Sequence, residues 1–144
     1  MIEIRDEQLD DVDAVREVYR QAFNQEQEGR IVDALRERGV TLLSLVAVTD
    51  GVVVGHIMFS PMTIESEAGT WDAVCLAPVA VAPARQKQGI GGMLIEVGLA
   101  ELRGRGQRAV ILLGHPSYYP RFGFRPAREF GLHYQDDRDA FMAI

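Results

Sequence analysis

The spacing of apolar residues along this chain changes character partway through. Leu9, Val12, Val15, Tyr19 and Phe23 recur at three- and four-residue steps, which predicts an amphipathic helix opened or capped by Asp10 or Asp11. Ile31, Val32 and Leu35 continue that period in a second helical segment, and Gly39 stands where a C-terminal cap belongs. Residues 2–4 predict a short strand ahead of both. From residue 41 the helical period gives way to continuous apolar runs. TLLSLVAV (41–48) is a buried-type strand, and Asp50-Gly51 is a hairpin signal leading into VVVGHIMF (52–59). A polar turn at 66–70 leads to WDAVCLAPVAVAP (71–83). The three strands predict an antiparallel meander.

The helical period returns at 90–103, with Met93, Leu94 and Val97 on one face and Gly104 and Gly106 closing the segment. RAVILLG (108–114) is again a continuous apolar strand. Strand, crossover helix and strand make a βαβ unit, so 71–83 and 108–114 are expected to lie parallel and adjacent. HPSYYPRFGF (115–124) predicts a short helix or turn, bracketed by Pro116 and Pro120. EFGLHYQ (129–135) and AFMAI (140–144) predict edge strands with a polar loop between them. With no repeat, low-complexity tract or linker, the expectation is one α/β domain over residues 1–144 built on a mixed sheet.

Pro78 breaks the pattern. It lies inside a strand that must be central, and proline has no N–H to give to the ladder. A bulge at Ala77-Pro78 would kink this strand away from its parallel neighbour. The gap would leave backbone groups of Val79, Ala80 and Val81 free to bind something extended and polar.

Charge and composition narrow the function classes. A net charge of -6 argues against a duplex nucleic-acid binder, which wants a basic face, and suits a cationic partner such as an amine. The single cysteine, Cys75, allows no intrachain disulfide, which points to an intracellular, cytoplasmic setting. The acidic start MIEIRDEQLDD is unlike a targeting peptide, and the run at 73–83 falls far short of the ~20 residues that span a membrane. Three scattered histidines and one cysteine show no metal-ligand spacing, so no metal is expected.

The candidate chemistry lies in PARQKQGIGG (83–92). Glycine costs roughly 1 kcal/mol against alanine inside a helix, yet Gly89, Gly91 and Gly92 sit at a helix start. A helix N-terminus presents free N–H groups and a positive dipole end, and glycines let a bulky anion reach them. Arg85 and Lys87 add positive charge. The stretch reads as a phosphate or pyrophosphate cradle. It lacks the Gly-Lys-Ser/Thr of a Walker loop. It also lacks G-x-G-x-x-G and an acidic residue in a following strand, so it is not a dinucleotide fingerprint.

Gln86-Lys87-Gln88-Gly89-Ile90-Gly91 resembles the Q/R-x-x-G-x-G/A signature of the GNAT superfamily of acetyl-CoA-dependent N-acetyltransferases. LAPVAVAP resembles that family's bulged fourth strand, and YYPRFGF its Tyr-x-x-x-Gly-Phe element, most like the YhbS-like bacterial subgroup. The resemblance implies the GNAT fold, with a parallel βαβ unit splayed at the bulge, and transfer of acetyl from acetyl-CoA to an amine by direct attack in a ternary complex. It implies that amides of Gln86, Lys87, Gln88, Gly89, Ile90 and Gly91, beside Gly92, hold the pyrophosphate. The backbone of Val79 and Val81 would pair with the pantetheine arm, and an amide near Val81 would polarise the thioester carbonyl. Tyr119 would protonate the departing thiolate, with Tyr118 structural. The family's asparagine after the fifth strand is missing; Leu112-Leu113-Gly114-His115 stands there.

A base for the amine is sought among carboxylates. Glu28 opens the second helix, where this family often lines the acceptor site, with Glu26 and Asp72 as further choices. His115 could contact the acceptor. Cys75 reads as core, because no base stands beside it. Trp71, Met58 and Phe59 read as packing before pocket. C-terminal edge strands are compatible with a homodimer. The rival readings are a non-catalytic acyl-CoA-binding or sensor module of the same fold, and a nucleotide-binding protein.

Overall fold

The computed structural model describes residues 1–114, 116–132 and 141–144. Among them, seven strands form one mixed sheet. In chain order these are β1 (Glu3–Asp6), β2 (Leu43–Thr49), β3 (Val52–Ser66), β4 (Gly69–Val81), β5 (Val110–Leu113), β6 (Arg125–Pro126) and β7 (Phe141–Ala143). Their order across the sheet is β1-β2-β3-β4-β5-β7-β6. Helices α1 (Val12–Phe23) and α2 (Gln27–Glu37) cover one face, and α3 (Ile90–Gly104) covers the other. The alternation of β2 and β3 divides the core accordingly. Leu43, Leu45, Ala47, Ile57 and Phe59 pack under α3, while Val46, Val48 and Met58 pack against Val15, Val18 and Tyr19 of α1 and Val32 of α2.

The meander forms as the pattern predicts. β2 pairs antiparallel with β3, and β3 with β4, through a turn in which Asp50 and Gly51 both have positive φ. β3 and β4 run on beyond the sheet as a long ribbon closed at Ser66 and Gly69. The βαβ expectation also holds: β4 and β5 are parallel neighbours.

Three details differ. Helix α1 begins at Val12, and Leu9 stands 89% exposed in a 3₁₀ turn, outside the apolar face. Asp11 makes the turn, accepting from the Gln8 amide at 2.7 Å and from both ends of the Arg5 guanidinium at 2.7 and 3.0 Å. β7 is not an edge: it lies between β5 and β6, and the edge is Arg125–Pro126, where a proline leaves no ladder bond unmade. Glu129 and Phe130 belong to a 3₁₀ turn (Ala127–Phe130) instead of a strand, anchored by fully buried Ala127. The remainder of the predicted strand from His133 onward lies outside the described residues.

A polar chain runs through the layer between α1/α2 and the sheet. Buried His56 on β3 bonds Tyr19 Oη through Nδ1 at 2.8 Å and Ser44 Oγ through Nε2 at 2.7 Å. Ser44 donates to Glu7 at 3.0 Å, Glu7 pairs with Arg36, and Arg36 donates to Asp33 at 2.8 Å. Because Ser44 spends its proton on Glu7, His56 Nε2 donates to Ser44. Burial, with Arg36 nearby, lowers the imidazole pKa to about 3, so it is neutral and Nδ1 accepts from Tyr19.

Candidate active site

The site begins at the break in β4. Ile57 faces Val79 and Phe59 faces Leu76, so Ala77 and Pro78 together stand opposite Met58. The Ala77-Pro78 peptide is cis. Parallel pairing with β5 is confined to Val74↔Val110 and Cys75↔Ile111 and stops before the bulge. Beyond it β4 keeps only its β3 partner. Ala82 donates to Val54 at 2.8 Å, which fixes the alternation of the ladder: Ala80 exchanges bonds with His56, while the N–H and C=O of Val79 and Val81 point away from β3. Ala80, grouped with these valines in the sequence, is set apart from them. Its backbone is spent on β3 and its side chain is buried under α1.

The chain then makes a 3₁₀ turn (Pro83–Arg85) and enters α3. Gly89 is the N-cap residue at φ 82°, the left-handed conformation that favours glycine. The first helical bond is Met93 N–H to Gly89 O at 3.0 Å. Among the described residues no group accepts from the amides between Gln88 and Gly92. Gly91 and Gly92 serve a different need. A Cβ at Gly91 would meet the Tyr118 hydroxyl at 3.5 Å, and one at Gly92 would meet the Phe122 ring at 3.5 Å. Larger side chains would fill the hollow. This cleft has a volume of about 870 Å³ and is walled by Val81, Gly89, Gly91, Tyr118 and Phe122. Arg85, Lys87 and Arg121 put three cations on its rim. Gln86 turns its side chain back to the Val81 carbonyl at 3.0 Å, tying strand to cradle.

The two tyrosines divide. Tyr118 lines the cleft, with the Arg121 guanidinium 4.4 Å over its ring, so it is more than the structural neighbour the sequence suggested. Tyr119 opens the 3₁₀ turn Tyr119–Phe122, and its ring sits in the core against Phe124 and Gly114. Among the described residues no buried side-chain polar atom lacks a partner, and the Tyr119 hydroxyl makes no hydrogen bond. The hydroxyl oxygen is therefore not fully sealed from solvent, although the residue is only 8% exposed. Burial first, then Tyr118, raises its pKa above that of an ordinary phenol, so it keeps its proton at neutral pH.

Other candidates fall elsewhere. Glu28 is half-buried in the first turn of α2, where Gln25 donates to both carboxylate oxygens at 3.0 Å, and it does not line the cleft. Glu26 pairs with Arg30 at 3.0 Å on the surface. Asp72 and Trp71 lie on the ribbon, at the end of β4 away from the bulge, and Met58 and Phe59 are fully buried packing. Burial raises the Cys75 pKa, as suits a neutral thiol. His115 lies outside the described residues. Among those described, no His, Cys, Asp or Glu cluster could hold a metal. Arg121 was not singled out in the sequence, although it stands inside the Tyr-x-x-x-Gly-Phe element; nothing periodic in a 3₁₀ turn shows which way it points.

A parallel pair splayed at a β-bulge, with a glycine-led helix start beside the splay, defines an acyl-CoA-binding class of α/β fold. The chain belongs to the GNAT acetyltransferase domain family, whose model matches residues 3–127. It is 42% identical over 118 residues to the uncharacterised N-acetyltransferase YjhQ of Escherichia coli K12, covering 81% of this chain and 65% of that protein, just under two thirds of its length. It is 38% identical over 123 residues to the uncharacterised N-acetyltransferase YhbS of the same strain, covering 85% of this chain and 72% of YhbS. The crystal structure of E. coli YhbS in complex with CoA superposes with a TM-score of 0.90 at 34% identity, over 99% of this chain and 79% of that one. A GNAT family acetyltransferase from Brucella melitensis in complex with acetyl-CoA gives 0.84 at 42% identity, over 100% and 87%.

Proposed function

We propose that this protein transfers the acetyl group of acetyl-CoA to a primary amine by direct attack in a ternary complex. One observation carries the reading: the outward-facing backbone of Val79 and Val81 stands at one end of a cleft whose other end is the free amides at the start of α3. That is a strand-shaped groove ending in an anion cradle, and it fits the amide-bearing pantetheine arm and pyrophosphate of coenzyme A. Amides from Gln88 through Gly92 hold the pyrophosphate, and Arg85, Lys87 and Arg121 add charge on the rim. The outward amide of Val81 polarises the thioester carbonyl. Relatives of known structure bind CoA or acetyl-CoA, which supports the same ligand here.

The amine lone pair attacks the carbonyl carbon, the C–N bond forms and the C–S bond breaks. Tyr119 gives its proton to the departing sulfur, and the proton lost from nitrogen passes to solvent and restores Tyr119. Among the described residues no carboxylate lines the cofactor cleft, and Glu28 stands outside it with its carboxylate held by Gln25. Acetyl-CoA is a metabolite of the cell interior, so the proposed reaction is a cytoplasmic one.

The test is thermal unfolding with acetyl-CoA, ATP and NAD, followed by an amine screen for thiol release. At ~100 times its dissociation constant a ligand adds about 2.7 kcal/mol, and the midpoint should rise by several degrees with acetyl-CoA alone. A shift with ATP or NAD in its place would point to a nucleotide site. Binding of acetyl-CoA without amine-dependent thiol release would point to a sensor module.

A further inference from the structure

Lysine and arginine together number 15 in this chain, and Lys87 is the only lysine. A guanidinium stays charged, whereas a lysine that gives up a proton becomes an amine that an activated acyl group modifies. The one side-chain amine of the chain therefore stands on the rim of the cleft, in the link that leads into α3. Lys87 is exposed, and its ammonium has no hydrogen bond or ion pair among the described residues. Arg121, across the cleft, is by contrast engaged: its Nε donates to the Tyr118 carbonyl at 2.8 Å and its guanidinium covers the Tyr118 ring. Lys87 also has φ 64°. Side chains other than Asn and Asp rarely hold that left-handed conformation, and glycine would hold it at less cost. The position keeps a lysine against its own backbone preference, which directs attention to the amine.

We propose that Lys87 is an acylation site, that its donor is a small acyl phosphate, and that the modification closes the cleft to coenzyme A. The inference rests on the coenzyme A reading of the cleft. The free amides between Gln88 and Gly92, with Arg85 beside them, suit the phosphate of an acyl phosphate as they suit a pyrophosphate. Such a donor carries its reactive carbonyl next to that phosphate, within the sweep of the Lys87 side chain. Lys87 Nζ, its ammonium proton lost to water, attacks the carbonyl carbon. The C–N bond forms, the bond from the carbonyl carbon to the phosphate oxygen breaks, and inorganic phosphate leaves with the second proton. Bound acetyl-CoA is the wrong donor for this amine. Its pyrophosphate would cover Lys87 while its thioester lay at Val81. The product amide has no charge, so the rim loses one of its three cations and gains a carbonyl oxygen where a pyrophosphate has to sit.

The test incubates the folded protein with acetyl phosphate, with and without coenzyme A, and follows Lys87 by peptide mass mapping. The same chain unfolded in guanidinium chloride gives the unguided rate. Folded Lys87 should react at least tenfold faster than unfolded Lys87, and coenzyme A should protect it. Calorimetric titration should show coenzyme A bound at least fivefold more weakly by the acetylated protein, with Lys87→Gln weakened to match. Lys87→Arg cannot be acetylated, so treatment should not change its affinity from its own untreated value. Equal rates in the folded and unfolded chain would reduce this to the reactivity of any exposed lysine and overturn the proposal. So would a rate that coenzyme A does not slow, or an acetylated protein that binds coenzyme A as before. Faster modification by acetyl-CoA than by acetyl phosphate also overturns it, and moves the thioester away from Val81. If coenzyme A fails to bind even the untreated protein, the cofactor reading fails, and protection of Lys87 by inorganic phosphate in its place keeps the acylation site.

Discussion

The ring of Tyr119 occupies the space that a side chain at Gly114 would need: a Cβ there would come within 2.3 Å of Tyr119 Cε2 and 2.7 Å of Cδ2. The missing Cβ lets the ring pack directly against the backbone that follows β5. Gly114→Ala should therefore displace the proposed acid while leaving the cradle on α3 untouched. Turnover should fall at least tenfold with little change in coenzyme A affinity. Equal losses in both would mean that the substitution disturbs the fold and not the tyrosine.

Tyr119→Phe isolates the hydroxyl itself. Loss of a general acid typically costs about 10²–10⁴ in rate. The variant should bind acetyl-CoA normally and release thiol at least a hundredfold more slowly. Tyr118→Phe should affect cofactor affinity instead, because its hydroxyl lies over Gly91 in the cleft. An unchanged rate in Tyr119→Phe removes that residue from the chemistry.

The cradle has its own test at Gly91. Its Cβ position is in ordinary contact with Tyr118 and Val81, at 3.5 and 3.8 Å, so the fold tolerates a first carbon and the cleft receives the rest. Gly91→Leu should keep the melting midpoint of the free protein and weaken coenzyme A at least tenfold, read by calorimetric titration. Retained affinity would move the pyrophosphate elsewhere.

Gly98 reports on packing alone. A Cβ there would sit 2.4 Å from the ring of Phe59, which is fully buried between α3 and the sheet. Overpacking a core costs about 1–3 kcal/mol, and each such kcal/mol is worth about 2–4 °C at this size. Gly98→Ala should melt several degrees lower without changing the ratio of turnover to cofactor affinity. A neutral midpoint would show that α3 can lift off Phe59.

His56 should shape the acid limb of stability. Its pKa falls from 6.5 when exposed to about 3 when folded. Between those values the unfolded chain binds the proton and the folded one does not. Stability is then full above pH 6.5 and declines as pH falls, by up to about 1.4 kcal/mol per pH unit. From pH 6.5 to about 4.5 carboxylates such as Asp11, held ionised by Arg5, are not yet protonated, so the histidine dominates the slope. Denaturant melts of His56→Gln should be flatter over that interval. An identical slope would show that the imidazole takes up a proton in place.

Much of this was legible in the chain because it depends on local period and local stereochemistry. The 3.6-residue recurrence around Val15 and Tyr19 makes a helix wherever it occurs, and Asp50-Gly51 turns a hairpin in any context. Pro78 has no N–H, so a central strand containing it has to give up pairing, and three glycines at a helix start leave an anion-sized hollow. Tertiary structure alone decided which groups face that hollow. The peptide groups of Val79 and Val81 point outward and those of Ala80 do not, because ladder register with β3 fixes the alternation. Tyr118 took the cleft and Tyr119 the core, because a short 3₁₀ turn built around Pro120 has no repeating face to read. Glu28 sits at a helix start, as its position suggested, but the docking of α2 leaves it outside the cleft. An apolar cavity beside the splay draws Met62, Cys75, Leu113 and Phe141 from four strands. Their meeting depends on β7 inserting beside β5, a long-range pairing that no stretch of sequence announces.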